Sequence, residues 1–125
     1  MSLRSKQKAK AVELAKKIAK ERDGYQCQKC YRSRDQGWQI HGAHIVPVSF
    51  DKTAANLRNI IALCAACHSM GKYSAHDNPT DFSAWLETMY PGLSEELRAE
   101  AYEYDTNPFP KIDWVEEYER LKDEA

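Results

Sequence analysis

Residues 41–68 read HGAHIVPVSFDKTAANLRNIIALCAACH, and this stretch decides the fold. From Trp38 to Val46 the chain is apolar with β-branched residues until Pro47 stops it, which predicts a strand. Asn59 to Leu63 (NIIAL) predicts a second short strand, and Ala65 to Lys72 a short helix that carries His68. Residues 48–58, with Asp, Thr and Asn, make the connection. The expectation is a β-hairpin with a long connection, followed by a helix. Side chains alternate along a strand, so His41 and Ala43 face one way and His44 the other.

Cysteine spacing adds a constraint. The four cysteines form two Cys-x-x-Cys pairs, Cys27/Cys30 and Cys64/Cys67, with 33 residues between the pairs. In a reducing compartment such pairs bind metal more often than they form disulfides. Four thiolates can close a tetrahedral structural zinc site with no open coordination position. The first pair sits in YQCQKC (25–30), read as a short strand and a knuckle turn, and residues 31–37 as a polar, basic loop. A thiol-redox role is the alternative for the same cysteines.

On the N-terminal side, residues 4–22 are rich in Ala, Lys, Glu and Leu. They predict a basic amphipathic helix with Val12, Ala15, Ile18 and Ala19 in its apolar stripe, stopped near Asp23-Gly24. On the C-terminal side, helices are expected from Thr80 or Asp81 to Met89, from Ser94 to about Tyr104, and from Asp113 to Lys122. The length, 125 residues, fits one domain: a basic helix (1–24), a zinc-stapled core (25–76) and an acidic helical extension (77–125).

The net charge of −1 hides a split. Residues 1–72 carry 14 Lys/Arg against 5 Asp/Glu, whereas residues 73–125 carry 4 against 14. A basic half beside a metal site suits a polyanion such as DNA. The acidic helices offer a surface to solvent, to a protein partner or to a second copy of the chain. No run of 18 apolar residues occurs, so no membrane span is expected. The charged N-terminus lacks the apolar core of a secretory signal, and a soluble cytoplasmic protein is expected.

With the thiols assigned to zinc, four histidines remain: His41, His44, His68 and His76. Phosphodiester hydrolysis needs an activated water, charge to stabilise the transition state and help for the leaving oxygen. A near-neutral imidazole serves the first need, and a divalent ion the other two. The segments AHIVP (43–47) and NIIALCAACH (59–68), preceded by RDGYQCQKC (22–30), resemble the HNH endonucleases, or ββα-metal fingers. The likeness is to their zinc-stapled form, as in phage and restriction-associated members, and covers about residues 22–86.

The resemblance implies a small α+β fold, a ββα-metal core with a four-cysteine zinc site flanked by helices. It implies metal-dependent cleavage or nicking of DNA that leaves a 3′-hydroxyl and a 5′-phosphate. It makes His44 the general base, Asn59 the residue that orients it, and His68 a ligand of a catalytic Mg²⁺, Mn²⁺ or Zn²⁺. The family usually has Asp or His immediately before the base as a second ligand, and here that position is Ala43. His41, His76 and Asp77 are the replacements within reach, the first two favoured equally. For phosphate contact Arg34 and Arg58 lead, with Arg32, Lys52 and Lys72 behind them. Trp38 is expected to pack in the core rather than stack on bases. A non-catalytic zinc-ribbon module that grips nucleic acid or protein is the rival reading.

Overall fold

A computed structural model describes all residues, Met1–Ala125. Its centre is a two-stranded antiparallel sheet, β1 (Ile40–His44) paired with β2 (Ile60–Cys64), in the register His41 opposite Leu63 and His44 opposite Ile60. Both strands are five residues long, and β1 is shorter than the apolar run 38–46 suggests. Trp38 lies outside the ladder, and Ile45 pairs only through its N–H to the Asn59 carbonyl at 2.8 Å. All five residues of β2 are buried because elements cover both of its faces.

The N-terminal helix α1 (Leu3–Arg22) crosses one face of the sheet. Ala11, Val12, Ala15, Ile18 and Ala19 form its buried stripe, with Asp23 at its end and Gly24 beyond in the left-handed region at φ 68°. Small residues let the helix come close: a Cβ on Gly42 of β1 would stand 2.9 Å from the Lys16 Cβ and 3.2 Å from its Cα. The C-terminal end of α1 also closes the free edge of β2. Asp23 accepts the Ala62 N–H at 2.9 Å, and Arg22 donates to the carbonyls of Leu57 and Ile60.

Beyond the sheet, α3 (Pro79–Met89) buries Phe82 and Leu86 against Ala43, Ile61 and Leu63 on the opposite face. Asn78 caps it through Asp81 N–H, two or three residues before the expected start. α4 (Leu93–Thr106) sets Leu97 and Ala101 against Val46, over the short helix α2 (Asp51–Ala54) that interrupts the expected loop 48–58. α5 (Trp114–Glu124) buries Trp114 and Leu121 on α1. Arg4 donates to the Ile112 carbonyl, while Lys8 and Lys10 lie over the rings of Trp114 and Tyr118. The acidic extension thus packs on the basic helix of its own chain.

The close approach of α1 to β1 gives a direct expectation. Gly42→Ala forces the Lys16 backbone away from the strand and costs about 1–3 kcal/mol. A matching fall in the urea midpoint of unfolding checks this, and an unchanged midpoint would show that α1 does not rest on β1.

Candidate metal and nuclease-type site

The Cys27/Cys30 knuckle packs beside the end of β2, where Cys64 and Cys67 start a turn. All four sulfurs lie within 4.8 Å of one another, with Cys30 and Cys64 at 3.5 Å. Four thiolates around one zinc with bonds of about 2.3 Å would sit roughly 3.8 Å apart. The residues therefore fit a closed tetrahedral zinc site. The Cys30 N–H points at the Cys27 sulfur at 3.5 Å, and backbone N–H groups of Arg32 and Cys67 serve Cys30 and Cys64.

Without a cation the four thiols cannot ionise together. Burial raises Cys64, but hydrogen bonds from the Cys67 backbone and from its neighbouring thiols outweigh that and bring it to about 7. Burial and the negative charge at Cys27 push Cys67 well above the ordinary thiol range. A zinc ion removes that conflict. The Arg32 guanidinium beside the Cys64 sulfur is a further charge partner of the cluster.

The expected helix 65–72 is a single π-helical turn, Ala66–Met70. Its last link is the Gly71 N–H to the Ala66 carbonyl at 2.8 Å. The chain then doubles back: Ala75 N–H bonds the Cys67 carbonyl and His76 N–H the His68 carbonyl at 3.1 Å. This return brings His76 against His68, with ring centroids 4.5 Å apart. From β1, His41 reaches the other side of His68, and the two Nδ1 atoms are 2.8 Å apart. Both residues proposed from sequence to replace Ala43 therefore flank His68. Ala43 itself is buried against α3.

Burial first, then His76, His41 and Lys16, lower His68 to about 4. His41 is lowered by burial and by Lys20 and Lys16 of α1. A neutral imidazole ligates a divalent ion through an unprotonated nitrogen, so an ion here would replace the hydrogen bond between the His41 and His68 Nδ1 atoms or bind at their Nε2 atoms.

His44 faces a cleft of about 500 Å³ that His68 and His76 also line. Its Nε2 is 2.8 Å from the Ala54 carbonyl. A carbonyl only accepts, so Nε2 carries the proton and Nδ1 is the basic nitrogen of the neutral ring. Burial lowers its pKa below the ordinary histidine value against the opposing pull of that hydrogen bond, and Lys16 and Lys8 lower it further.

Asn59 is fully buried and does not touch the cleft. Its carbonyl accepts the Val46 N–H at 2.7 Å, and its amide donates to the carbonyls of Val46 and Thr53, both at 3.0 Å. It fixes the segment 46–54 that presents Ala54 to His44.

The basic residues singled out from sequence do not converge here. Arg58 pairs with Glu96 at 2.9 Å on α4, and Lys52 lies near Glu100 and Glu103. Arg34 covers the Tyr25 ring, and Lys72 sits by the zinc knuckles. The cations of the cleft are Lys16 and Arg98. Lys16 could have been found from its place among Val12, Ala15 and Ala19 on the inward side of α1. Arg98 is the single base of a helix that reads as acidic, and only the packing of α4 reveals it.

The family model for HNH endonuclease matches residues 27–73, the segment from the first zinc knuckle through the π turn. That segment is thus similar to the HNH endonuclease family, and it combines mixed helix and a two-stranded sheet with a four-cysteine cluster able to hold a zinc ion. No curated protein and no solved structure matches the chain. No helix is long and apolar enough to cross a membrane.

The sulfur cluster is open to a simple test. Elemental analysis is expected to give one zinc per chain. Its complete removal by a chelator should lower the melting temperature by roughly 10 °C or more. A metal-free protein that melts as the zinc protein does would show that the cluster carries no structural ion.

Proposed function

We propose that the chain is a metal-dependent endonuclease that hydrolyses DNA phosphodiester bonds, with His44 as general base. The observation that carries this reading is the pose of His44. One nitrogen is tied to the Ala54 carbonyl, and the ring lines the same cleft as His68 and His76. His68, His41 and His76 would hold a divalent ion, whose charge stabilises the phosphorane-like transition state and the leaving oxygen. His44 Nδ1 takes a proton from water, the water oxygen bonds to phosphorus, and the P–O bond to the leaving oxygen breaks. That oxygen gains a proton from solvent. The Ala54 carbonyl holds the ring and stabilises the imidazolium that forms. Lys16 and Arg98 are placed to hold the phosphate backbone.

The rival, a zinc module that binds without cutting, draws on one specific observation: Ala43 cannot ligate. Supercoiled-plasmid nicking with Mg²⁺ or Mn²⁺ separates the two. Wild type is expected to nick, and His44→Ala to lose about 10²- to 10⁴-fold with zinc content unchanged. A wild type that is inert with every divalent ion would establish the binding module.

The pH profile follows from the direction of the His44 shift. Its pKa is lowered, so the base is neutral and competent at pH 7. Activity should then fall on acidification only below the ordinary histidine value of about 6.5. A fall centred above 6.5 would exclude His44 as the titrating base.

The cations of the cleft give a separate expectation. Arg98→Gln and Lys16→Gln should each weaken duplex binding and reduce the slope of log K against log salt by about one. Arg58→Gln, already ion-paired to α4, should leave that slope unchanged. The reverse pattern would place the backbone on the other side of α4.

A further inference from the structure

On the far side of the π turn from the histidine cleft is a groove of about 330 Å³. Lys29, Arg32, Lys72 and Tyr73 rim it, and Cys30 and Cys67 form its floor. The Arg32 guanidinium lies 4.3 Å from the centroid of the Trp38 ring, and Lys72 Nζ 5.9 Å from that of Tyr73. Trp38 is 39% exposed and Tyr73 60% exposed, and neither belongs to a buried cluster. The expected core role for Trp38 is therefore not what the structure shows. Lys29 is neutralised by Asp81 at 2.9 Å, which leaves Arg32 and Lys72 as the groove's outward cations.

Large aromatic rings left in water, each beside a cation, do nothing for the core. They match a ligand that offers alternating flat faces and negative charges. Unpaired bases supply such faces, whereas a duplex hides them in its stack. We propose that this groove, together with the Trp38 ring that adjoins it beyond Arg32, binds a single-stranded stretch of nucleic acid, with bases stacked on Trp38 and Tyr73 and phosphates near Arg32 and Lys72.

The same turn places His68 toward the cleft and Cys67 toward the groove. One strand can therefore lie along the groove and pass into the cleft. On the nuclease reading above, on which its place in the reaction rests, the preferred substrate carries an unpaired segment beside the scissile phosphate.

The test is binding by the zinc-loaded full chain with no added Mg²⁺ or Mn²⁺, so that cutting is not required. Unlabelled dT12 is titrated while tryptophan emission is followed, and fluorescein-labelled dT12 is followed by anisotropy. Trp114 is buried and Trp85 is half-buried between Phe82 and Tyr90, whereas Trp38 is exposed, so quenching by dT12 is expected to vanish in Trp38→Phe while its affinity stays within about threefold. Trp38→Ala combined with Tyr73→Ala should weaken dT12 binding on the order of tenfold or more, with zinc content unchanged. A 12-base-pair duplex should neither quench nor respond to the double substitution.

Unchanged tryptophan emission, or equal dT12 affinity for the double variant and wild type, would overturn the proposal. Quenching by dT12 in a protein that never nicks plasmid would uphold the groove and sink the nuclease reading alone.

Discussion

Four sulfur atoms in mutual contact determine where the rest of the site stands. The chain has no single continuous core: its buried apolar residues fall into three clusters, and the largest holds ten of them. The knuckle at 27–30 has few apolar residues with which to hold itself against β2. Thiolates that share one ion would supply that attachment and remove the like-charge repulsion that forbids their joint ionisation. His68 is the next residue after Cys67. Its backbone is positioned by a covalent neighbour of the cluster, and its ring is held between those of His41 and His76.

A second restraint is polar and runs through backbone. Asn59 satisfies the N–H and carbonyl of Val46 and the carbonyl of Thr53 in a fully buried site. Removing its side chain would leave the Val46 N–H and carbonyl without partners, each worth about 1–3 kcal/mol, while the Thr53 carbonyl would keep the Asn56 N–H. These bonds hold segment 46–54, whose Ala54 carbonyl fixes the His44 tautomer. The sulfur cluster thus places one imidazole of the cleft and the amide of Asn59 places another, through separate routes that meet across β1 and β2.

Much of this was legible in the sequence because its signals are local. Two Cys-x-x-Cys pairs imply one tetrahedral site whatever the fold around them. The apolar runs before Pro47 and after Asn59 imply paired strands, and the small residues of α1 imply a buried stripe. What escaped depends on contacts between distant segments. The π turn at 66–70 reflects the return of residues 74–76, which no helical periodicity records. The choice between His41 and His76 was open from spacing, and in the folded chain both stand beside His68. Arg58 looked free until α4 brought Glu96 to it. Arg98 is the single cation of an acidic helix, and the same packing turns it toward the cleft.

That last exchange bears on how a chain of net charge −1 could engage a polyanion. At physiological ionic strength charges farther than about 8 Å are largely screened, so a phosphate responds to the patch it touches rather than to the total. The acidic extension occupies several cations of the basic half: Arg58 by Glu96, Arg4 by the Ile112 carbonyl, and Lys10 by the Tyr118 ring, while Lys8 is paired with Asp51. It leaves Lys16 and Arg98 at the histidine cleft, and Arg32 and Lys72 at the groove beside the knuckles. Glu95, Glu103 and the outward acids of α5 repel a backbone that approaches elsewhere. On the proposed reading, two basic patches, one on each side of a single turn, would define a path, and the negative half of the chain would narrow binding to it.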